Sequence, residues 1–257
     1  MKKLIWIIAS SLALSCSEDA IPDTGGTRLL SINGTVEYPD SRDTWQETYH
    51  YDPNGRLTLV ENTRSLGRRY EIAYEGERIL QYLTYQRDNN RLIFRDSVAY
   101  TADGLIDKIY SFSINAGPEL PLDFVIAFDY DSLQRVVERK SYLWPSEQYF
   151  IREKYDWDDT HIVRKQDYYY EAGEEEFRYE YFYAYDDQHN YKIGIPYYLN
   201  DPINWGPHNV TVMDWRDYYG NLDLLCKPCQ YTYRYNRDGY PVEITTNYGR
   251  SEVATYE

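Results

Sequence analysis

The sequence predicts an all-β protein, an antiparallel up-and-down meander of about 14–18 strands that forms a closed or half-open barrel. Three observations predict this fold class. A strand–turn–strand unit recurs along the chain, helical periodicity is nearly absent, and the 257 residues include 31 Tyr. Tyr-rich strands can cover a core with their rings while their hydroxyl groups stay hydrated.

The segment 231–244 is the clearest copy of the repeated unit. Tyr231, Tyr233 and Tyr235 alternate with polar residues, which places the three rings on one face of a strand. Asn236–Gly239 then predicts a tight turn, because Asn and Asp bond the local backbone and Gly accepts a positive φ. Residues 240–244 return as the partner strand, so the unit is a β-hairpin with an aromatic face.

An aromatic residue stands just before the turn in each copy of the unit. These anchor aromatics are Tyr51, Tyr74, Tyr100, Tyr130, Trp157, Tyr185 and Tyr235. Successive anchors lie 23 to 30 residues apart, except for a last interval of 50 that predicts one degenerate or missing copy. A period of about 25 residues fits two strands and two turns. Neighbouring anchors should form a belt of rings, and closure of so wide a twisted sheet removes its exposed edges.

Residues 191–230 interrupt the repeat with four prolines and no clean alternation. Long irregular segments of this kind carry binding sites or serve as caps. The candidate ligand-binding residues are therefore Tyr197, Tyr198, Trp205 and Trp215. The alternative is that the segment is a plug that covers an open barrel mouth.

The first 15 residues are predicted to be a signal peptide. Lys2 and Lys3 precede an apolar run of 11 residues, Leu4–Leu14, which is too short to span a bilayer. The sequence Ala13-Leu14-Ser15-Cys16 resembles the lipobox of bacterial lipoproteins, and this resemblance implies lipidation of Cys16. An ordinary secretory signal and an uncleaved anchor are the alternatives.

The residues after Cys16 suggest where the protein is exported. Ser17-Glu18-Asp19 resembles the surface-export signal of some Gram-negative lipoproteins, which implies the outer membrane, a lipid anchor and exposure at the cell surface. Residues 16–27 then form a flexible tether, and residues 28–257 form a single β-repeat domain.

The formal net charge of −15 excludes some partners. Binding to nucleic acid requires clustered Lys and Arg that displace counterions from phosphates, so no nucleic-acid partner is expected. The predicted membrane contact is made through the lipid anchor.

The repeat resembles two groups of proteins. The Tyr-x-Tyr-Asp-x-x-Gly-Arg-Leu pattern is similar to the YD repeats of Rhs-type and teneurin-type proteins. The whole chain more closely resembles uncharacterised Gram-negative lipoproteins with a porin-like fold. The residues that carry this second resemblance are Cys16, Tyr51-Asp52, Tyr130-Asp131, Tyr185-Asp186, the segment 194–209 and the closing hairpin 233–241. It implies a β barrel and supplies no activity. Charged residues on the second face of the strands, such as Glu71 and Arg152, argue against a lipid-facing exterior.

Cys226-Lys-Pro-Cys229 is the sharpest local motif. A small disulfide across a turn is the leading interpretation outside the cytoplasm. A thioredoxin-type redox pair and half of a zinc site are the alternatives. No metal site and no cofactor are predicted.

No catalytic signature is recognisable, so the chain is predicted not to be an enzyme. Acidic residues near the turns, such as Asp158 and Asp186, fit turn capping better than calcium binding. Tyrosines of 179–185 share one strand face, and such a ladder is either core or a stacking surface for sugar or peptide. The leading hypothesis is a non-catalytic surface lipoprotein that binds an extracellular ligand, possibly a glycan. A structural or adhesion protein of the cell envelope with a protein partner is the alternative, and an unrecognised hydrolase is the third class.

Overall fold

A computed structural model of the chain describes residues 28–38, 41–63, 67–113, 122–192, 200–218 and 228–257. The predicted signal peptide, the tether and Cys16 lie outside the described residues, as do Tyr197, Tyr198 and Cys226. Within the described ranges, no helix is long and apolar enough to cross a membrane.

In the described residues, sixteen antiparallel strands form one closed barrel, in which each strand pairs with its sequence neighbours and the last pairs with the first. The strands of the first half are β1 (Leu29–Tyr38), β2 (Ser41–Tyr51), β3 (Leu57–Asn62), β4 (Arg68–Glu75), β5 (Arg78–Gln86), β6 (Arg91–Tyr100), β7 (Ile106–Ser113) and β8 (Leu122–Tyr130). Those of the second half are β9 (Val136–Leu143), β10 (Tyr149–Trp157), β11 (Ile162–Glu171), β12 (Glu174–His189), β13 (His208–Asp217), β14 (Cys229–Tyr235), β15 (Pro241–Thr246) and β16 (Arg250–Tyr256). The predicted meander and its closure are confirmed.

A β-bulge follows each Tyr-Asp turn and repeats around the barrel. In the β2–β3 hairpin, His50 pairs with Leu59 but Tyr51 pairs with Leu57, so Thr58 is an extra residue on the returning strand. The other even-to-odd hairpins show the same shift. A bulge at this point increases the local twist and bends the sheet, which favours closure. Because of the extra residue, inward positions on the returning strands are spaced by three, as at Leu57 and Val60.

The anchor aromatics form the predicted belt, and the belt is tied together by hydrogen bonds. Every anchor except Tyr235, together with Tyr233 and Tyr256, donates from its hydroxyl or indole N–H to a carbonyl group at the start of the preceding strand. The pairs are Tyr51 to Leu29, Tyr74 to Leu57, Tyr100 to Ile79, Tyr130 to Ile106, Trp157 to Val136, Tyr185 to Ile162, Tyr233 to Val210 and Tyr256 to Pro241. The distances run from 2.7 to 2.9 Å. These bonds join the two strands of each pair at the rim that carries the Tyr-Asp turns, here called the turn rim.

The turn that follows an anchor is closed by its aspartate. Asp131 accepts backbone N–H bonds from Leu133 and Arg135, and it also accepts from the Arg135 guanidinium at 2.9 Å. The backbone bond from Arg135 is the largest of the causes that lower the pKa of Asp131. Arg135 then lies over the Trp157 ring, 5.7 Å from its centroid. One Asp-x-x-x-Arg unit therefore caps its own turn and covers the next anchor of the belt.

In the described part of the 50-residue interval before Tyr235, no hairpin of the repeat is missing. The described residues of the interval contain the single strand β13 between two long connections, so β12 and β13 form the sixth even-to-odd pair. The belt residue of β14 is Tyr233, whereas the Tyr235 hydroxyl donates to Asp186. The eighth belt residue, Tyr256, ends the last strand. Sequence analysis missed β13 because its bulge breaks the alternation between Val210 and Met213.

The interior and the exterior of the barrel differ in chemistry. Two apolar clusters lie inside, one centred on Val60 and Ile72, the other on Ile109 and Ile126. Ion pairs cross the exterior, among them Lys140 with Asp129 at 2.9 Å. The face that carries the aromatic repeats is therefore the inner one.

Candidate functional site

A cavity of about 440 Å³ lies inside the second half of the barrel, where its lining residues run from Arg139 on β9 to Glu252 on β16. Its volume falls in the range of small-molecule sites. Charged groups, tyrosines and the segment after β12 all contribute to its wall. The charged lining residues are Arg139, Glu153, Lys165, Lys192, Asp201, Arg250 and Glu252.

A buried segment beside this cavity is here called the plug. It is a short 3-10 helix, Pro202–Trp205, in which Pro202, Ile203 and Asn204 are buried. The Asn190 side chain holds it by donating to the carbonyls of Asn204 at 3.1 Å and Gly206 at 2.8 Å. Ile203 joins the second apolar cluster, and Ile203 and Asn204 both line the cavity. Part of the irregular segment is therefore buried inside the barrel, and the same residues form a wall of the cavity.

One side of the cavity carries an ion cluster on β9, β10 and β11. Glu153 accepts hydrogen bonds from Arg139, from Lys165 at 3.1 Å and from the Tyr155 hydroxyl at 3.0 Å. Burial alone would raise the pKa of Glu153, but the charges of Lys165 and Arg139 outweigh it and hold the pKa below its usual value. Lys165 also lies 3.3 Å from Asp167, whose pKa burial raises to about 6.

A second ion cluster is formed by residues of β16 and by residues that directly follow β12. Arg250 donates from Nε at 2.8 Å and from Nη2 to the same oxygen of Glu252. The Tyr191 hydroxyl donates to the other oxygen at 3.2 Å. Lys192 senses the charges of both Glu252 and Arg250, and burial lowers its pKa.

Charged residues of both clusters act on Asp201, among them Lys165 of the first and Lys192 of the second. Burial raises the pKa of its carboxyl group, and the charges of Lys165 and Lys192 act in the opposite direction. Its Oδ2 accepts from the Asn204 side chain at 2.8 Å. Asp201 is therefore held by the plug and is disfavoured as an anion.

Tyrosine rings line the remaining wall. Tyr181 and Tyr183 stack with ring centroids 6.5 Å apart and an interplanar angle of 15°. Tyr231 and Tyr233 face the same cavity from β14. Rings of this kind offer flat apolar faces between polar groups, which suits a ligand that is itself part apolar and part polar.

The described candidates from the sequence occupy two different environments. Trp205 is half-buried at the end of the plug, and its ring lies 5.3 Å from that of Phe128. Trp215 is only 2% exposed, on β13. Their role in ligand binding stays a prediction, as does that of Tyr197 and Tyr198. Cys229 is disulfide-bonded, and its predicted pairing with Cys226 involves a residue outside the described part of the chain.

Sequence reasoning missed the charged residues of the cavity, although a signal for them exists. Glu153 and Glu252 each stand four residues before a belt residue, Trp157 and Tyr256. Counting back in twos from the belt places both carboxylates on the inner face. Arg139 was harder to find, because its strand carries the bulge.

The part of the chain that the structure describes contains no group of three or more His, Cys, Asp or Glu side chains arranged to hold a metal ion. Glu153 and Glu252 of the cavity are instead bonded to cations and hydroxyl groups of the chain itself, and Asp201 accepts from the Asn204 amide.

Comparisons with known proteins show the fold. No family model matches the chain, and no match is found among curated proteins. Among solved structures, a porin-like protein from Bacteroides uniformis has a TM-score of 0.56 at 11% identity, over 89% of this chain and 96% of that one. A porin-like protein from Bacteroides vulgatus has a TM-score of 0.53 at 13% identity, over 89% of this chain and 98% of that one. At this identity the likeness concerns the barrel architecture and says nothing about activity.

Proposed function

We propose that the protein is a non-catalytic, lipid-anchored barrel at the surface of the outer membrane that binds a glycan fragment in its interior cavity. The observation that carries the proposal is the cavity itself, because it combines tyrosine faces with hydrogen-bonding groups. A sugar presents the matching chemistry, with apolar C–H faces and a rim of hydroxyl groups. The lipidated Cys16 and the tether 16–27 supply the anchor.

The position of the first described residue supports this arrangement. Arg28 exchanges backbone hydrogen bonds with Glu257 at the turn rim. A tether of twelve residues spans at most about 40 Å when fully extended. The turn rim would then face the membrane, and the opposite end of the barrel would face outward. Thr246 and Arg250, which line the cavity, lie at this outward end.

The experiment is a glycan-array screen of the mature chain, followed by isothermal titration calorimetry with each hit. Tyr181→Leu removes a ring from the cavity wall and should weaken binding about two- to tenfold, since a well-placed aromatic contact is worth about 0.5–1.5 kcal/mol. Phe182→Leu is the matched control, because Phe182 is the next residue on β12 and lies under Arg216 on the other face. Trp205→Ala tests the plug as a second wall of the site.

A blank array would overturn the proposal, and so would equal losses for Tyr181→Leu and Phe182→Leu. Recovery of the bound glycan after incubation adds a check on catalysis. Cleaved product would favour the third class, a hydrolase. Glu153 and Asp201 would then be the pair of carboxyl groups, because neighbouring cations hold the pKa of Glu153 down and burial raises the pKa of Asp201.

An adhesion protein with a protein partner is the second candidate, favoured by one exposed patch. Leu143 and Trp144 are 54% and 59% exposed at the β9–β10 connection. Next to them, Tyr149 makes edge contacts with Tyr142 and Tyr170. Exposed Trp and Tyr of this kind are typical of contact surfaces. Cells that display the Trp144→Ser variant should adhere less than cells that display the unaltered protein, with glycan binding intact, if the adhesion hypothesis is correct.

A further inference from the structure

Two histidines join the chain that follows the plug to a neighbouring turn. His161 is the last residue of the β10–β11 turn, and His208 is the first residue of β13. The ring nitrogens Nε2 of His161 and Nδ1 of His208 lie 2.7 Å apart, which is a hydrogen-bond distance. A Cβ atom at Gly206, the residue after the plug, would lie 3.7 Å from His161 Cδ2. The His161 ring therefore packs against this end of the plug as well as bonding to His208.

His161 covers a belt ring, a task that other hairpins give to arginine. Arginine side chains lie over the belt rings of Tyr51, Tyr74, Tyr100 and Trp157. At the next belt residue, Tyr185, the cover is the His161 ring, stacked with its centroid at 4.4 Å and an interplanar angle of 21°. Arginine stays charged throughout the physiological pH range, whereas histidine changes its charge within it. The cover of Tyr185 can therefore respond to pH where the arginine covers cannot.

The histidine pair can accept one proton but not two. A hydrogen bond between two imidazole rings needs an N–H group on one ring and a lone pair on the other. The neutral pair meets this requirement, and so does the pair that carries one added proton. When both rings are protonated, every ring nitrogen carries a hydrogen and both rings are positive. The 2.7 Å contact between His161 and His208 then becomes repulsive.

The groups around His161 set the pH range of this change. Burial is the largest cause that lowers the pKa of His161, and the charge of His208 lowers it further. The charges of Asp158 and Asp186 act in the opposite direction, and Asp158 Oδ1 lies 3.7 Å from His161 Nδ1. On the other side of that turn, the Arg135 guanidinium donates to the Asp158 carbonyl at 2.9 Å. Because the net shift of the pKa is downward, the closed contact is complete above the usual value of about 6.5 and is lost as the pH falls below it.

The strand β12 brings two more titratable side chains close to the pair. His189 pairs with His208 across β12 and β13, and its ring stacks on Tyr240 at 4.7 Å. Protonation of His189 would add a further positive charge beside His208 and would strengthen the repulsion. The Tyr185 hydroxyl is bonded to the Ile162 carbonyl, and burial raises its pKa, so Tyr185 stays neutral in this range.

Neutral hydrogen bonds hold the same end of the plug. The Asn190 backbone N–H donates to the carbonyl of Pro207 at 2.9 Å, and its side chain donates to the carbonyl of Gly206 at 2.8 Å. Repulsion at His208, the residue after Pro207, acts against these bonds. Two residues of the plug, Ile203 and Asn204, line the cavity, so a displacement here also changes the cavity wall.

We propose that His161 and His208 form a pH-sensitive latch, which holds the end of the plug at neutral pH and releases it when both rings are protonated. Release displaces the cavity wall formed by Ile203 and Asn204, so that the cavity exchanges its contents with solvent more readily in a mildly acidic medium. The inference concerns movement of the plug and does not depend on which ligand the cavity binds.

The test is hydrogen–deuterium exchange of the mature protein, followed by mass spectrometry from about pH 8 down to about pH 5. Labelling times are scaled for the intrinsic pH dependence of amide exchange. The reporting peptides contain Asn190, Asn204 and Asn209, whose backbone N–H groups are hydrogen-bonded at the plug and next to it. We expect their protection to fall at least about fivefold across this range, as for the loss of one hydrogen bond. Peptides from β4 should keep their protection.

One variant removes the titration and leaves the stacking. His161→Phe keeps a ring on Tyr185 but can neither bond to His208 nor take up a proton. Protection of the plug amides should be low in this variant at every pH, without a step. His50→Gln is the matched control, because His50 is exposed on β2 beside Glu61, and this variant should keep the step of the unaltered protein.

A second variant tests the electrostatics of the latch. In Asp158→Asn the side chain still offers an oxygen to the N–H groups of Thr160 and His161, which now donate to Asp158. It loses the negative charge that favours protonated His161. The step in protection should therefore move to lower pH, a change that a purely structural role of Asp158 would not produce.

The unaltered protein gives a check that needs no variant. In NMR spectra, the rings of His161 and His208 should titrate in two separate steps, and the second step should coincide with the loss of protection. Protection that does not change with pH would overturn the latch, and so would a step that persists in His161→Phe. An equal loss of protection in the β4 peptides would also overturn it, because the whole barrel would then be loosening.

Discussion

The indole N–H of Trp157 donates a 2.7 Å hydrogen bond to the carbonyl of Val136, at the place where the other hairpins use a tyrosine hydroxyl. The substitution shows what the repeat requires at this position. It needs a flat ring that packs on the core and a polar hydrogen at its far end. Tyr130, one hairpin earlier, makes the same contact with Ile106 at 2.7 Å. The belt is therefore conserved within the molecule as a hydrogen-bond geometry.

Removal of one belt hydroxyl should destabilise the barrel. In Tyr74→Phe the carbonyl of Leu57 loses its donor, whereas the ring still packs on the apolar cluster. We expect a loss of about 1 kcal/mol in the free energy of unfolding in urea. Tyr38→Phe is the control, because Tyr38 is exposed at the end of β1. Equal effects of the two substitutions would show that the belt bonds contribute nothing specific.

Gly34 should tolerate no side chain, because Trp45 occupies the space. The two residues are paired across β1 and β2, and a Cβ at Gly34 would lie 2.1 Å from the indole ring. Gly34→Ala should therefore cost about 3 kcal/mol or more by overpacking, measured as urea unfolding. In a Trp45→Leu background the same substitution should cost less than about 1 kcal/mol. A penalty that is the same in both backgrounds would assign the cost to the backbone of β1.

Gln134 occupies a turn position that other hairpins give to glycine. Its φ is 62°, and the equivalent Gly55, Gly104 and Gly239 have φ values of 86°, 89° and 81°. Gln134→Gly should therefore stabilise the protein by up to about 1 kcal/mol, since a positive φ costs a side chain energy that glycine avoids. Gly76→Ala gives the reverse test, because its φ is 61° and no atom lies within 4 Å of the added Cβ. A lower midpoint temperature of thermal unfolding for Gln134→Gly than for the unaltered protein would refute this account of the turn.

The fold was predictable because its signals are local. Each anchor, turn and returning strand lies within one period of about 25 residues, and period-two alternation identifies the inner face of the even strands. The odd strands were harder to interpret, since a bulge changes the spacing of inward residues to three. At β13 that change, combined with the prolines around Pro202, hid a complete strand.

The cavity could not be predicted because its charges come from distant strands. Glu153 and Arg250 belong to strands far apart in the sequence, and only the closed barrel brings them to one space. In a chain with 42 acidic residues, one more carboxylate is not a signal until its inward position is known. The distance from the belt residue supplies that information for Glu153 and Glu252, but not the identity of the residues across the cavity.

The last prediction concerns pH and a carboxyl group in the other half of the barrel. Asp96 is 6% exposed, and burial raises its pKa to about 6, although the Ser111 hydroxyl opposes the shift. Burial raises the pKa values of Tyr82 and Tyr70 on the inner face, and the charge of Asp96 adds to this effect. No cation appears among the causes that shift the pKa of Asp96 itself. The folded state therefore holds this proton more tightly than the unfolded chain does.

The direction follows from linkage. The stabilisation from protonated Asp96 is complete below the unfolded pKa of about 3.9 and is lost as the pH rises through about 6, by at most about 3 kcal/mol. Asp96→Asn removes this contribution, so the difference between the unaltered protein and the variant should change by that amount between pH 4 and pH 7. Urea unfolding across this range measures it, with Asp129→Asn, an exterior substitution, as the control for general charge effects. Parallel profiles for the unaltered protein and Asp96→Asn would show that Asp96 is solvated or paired in the folded state.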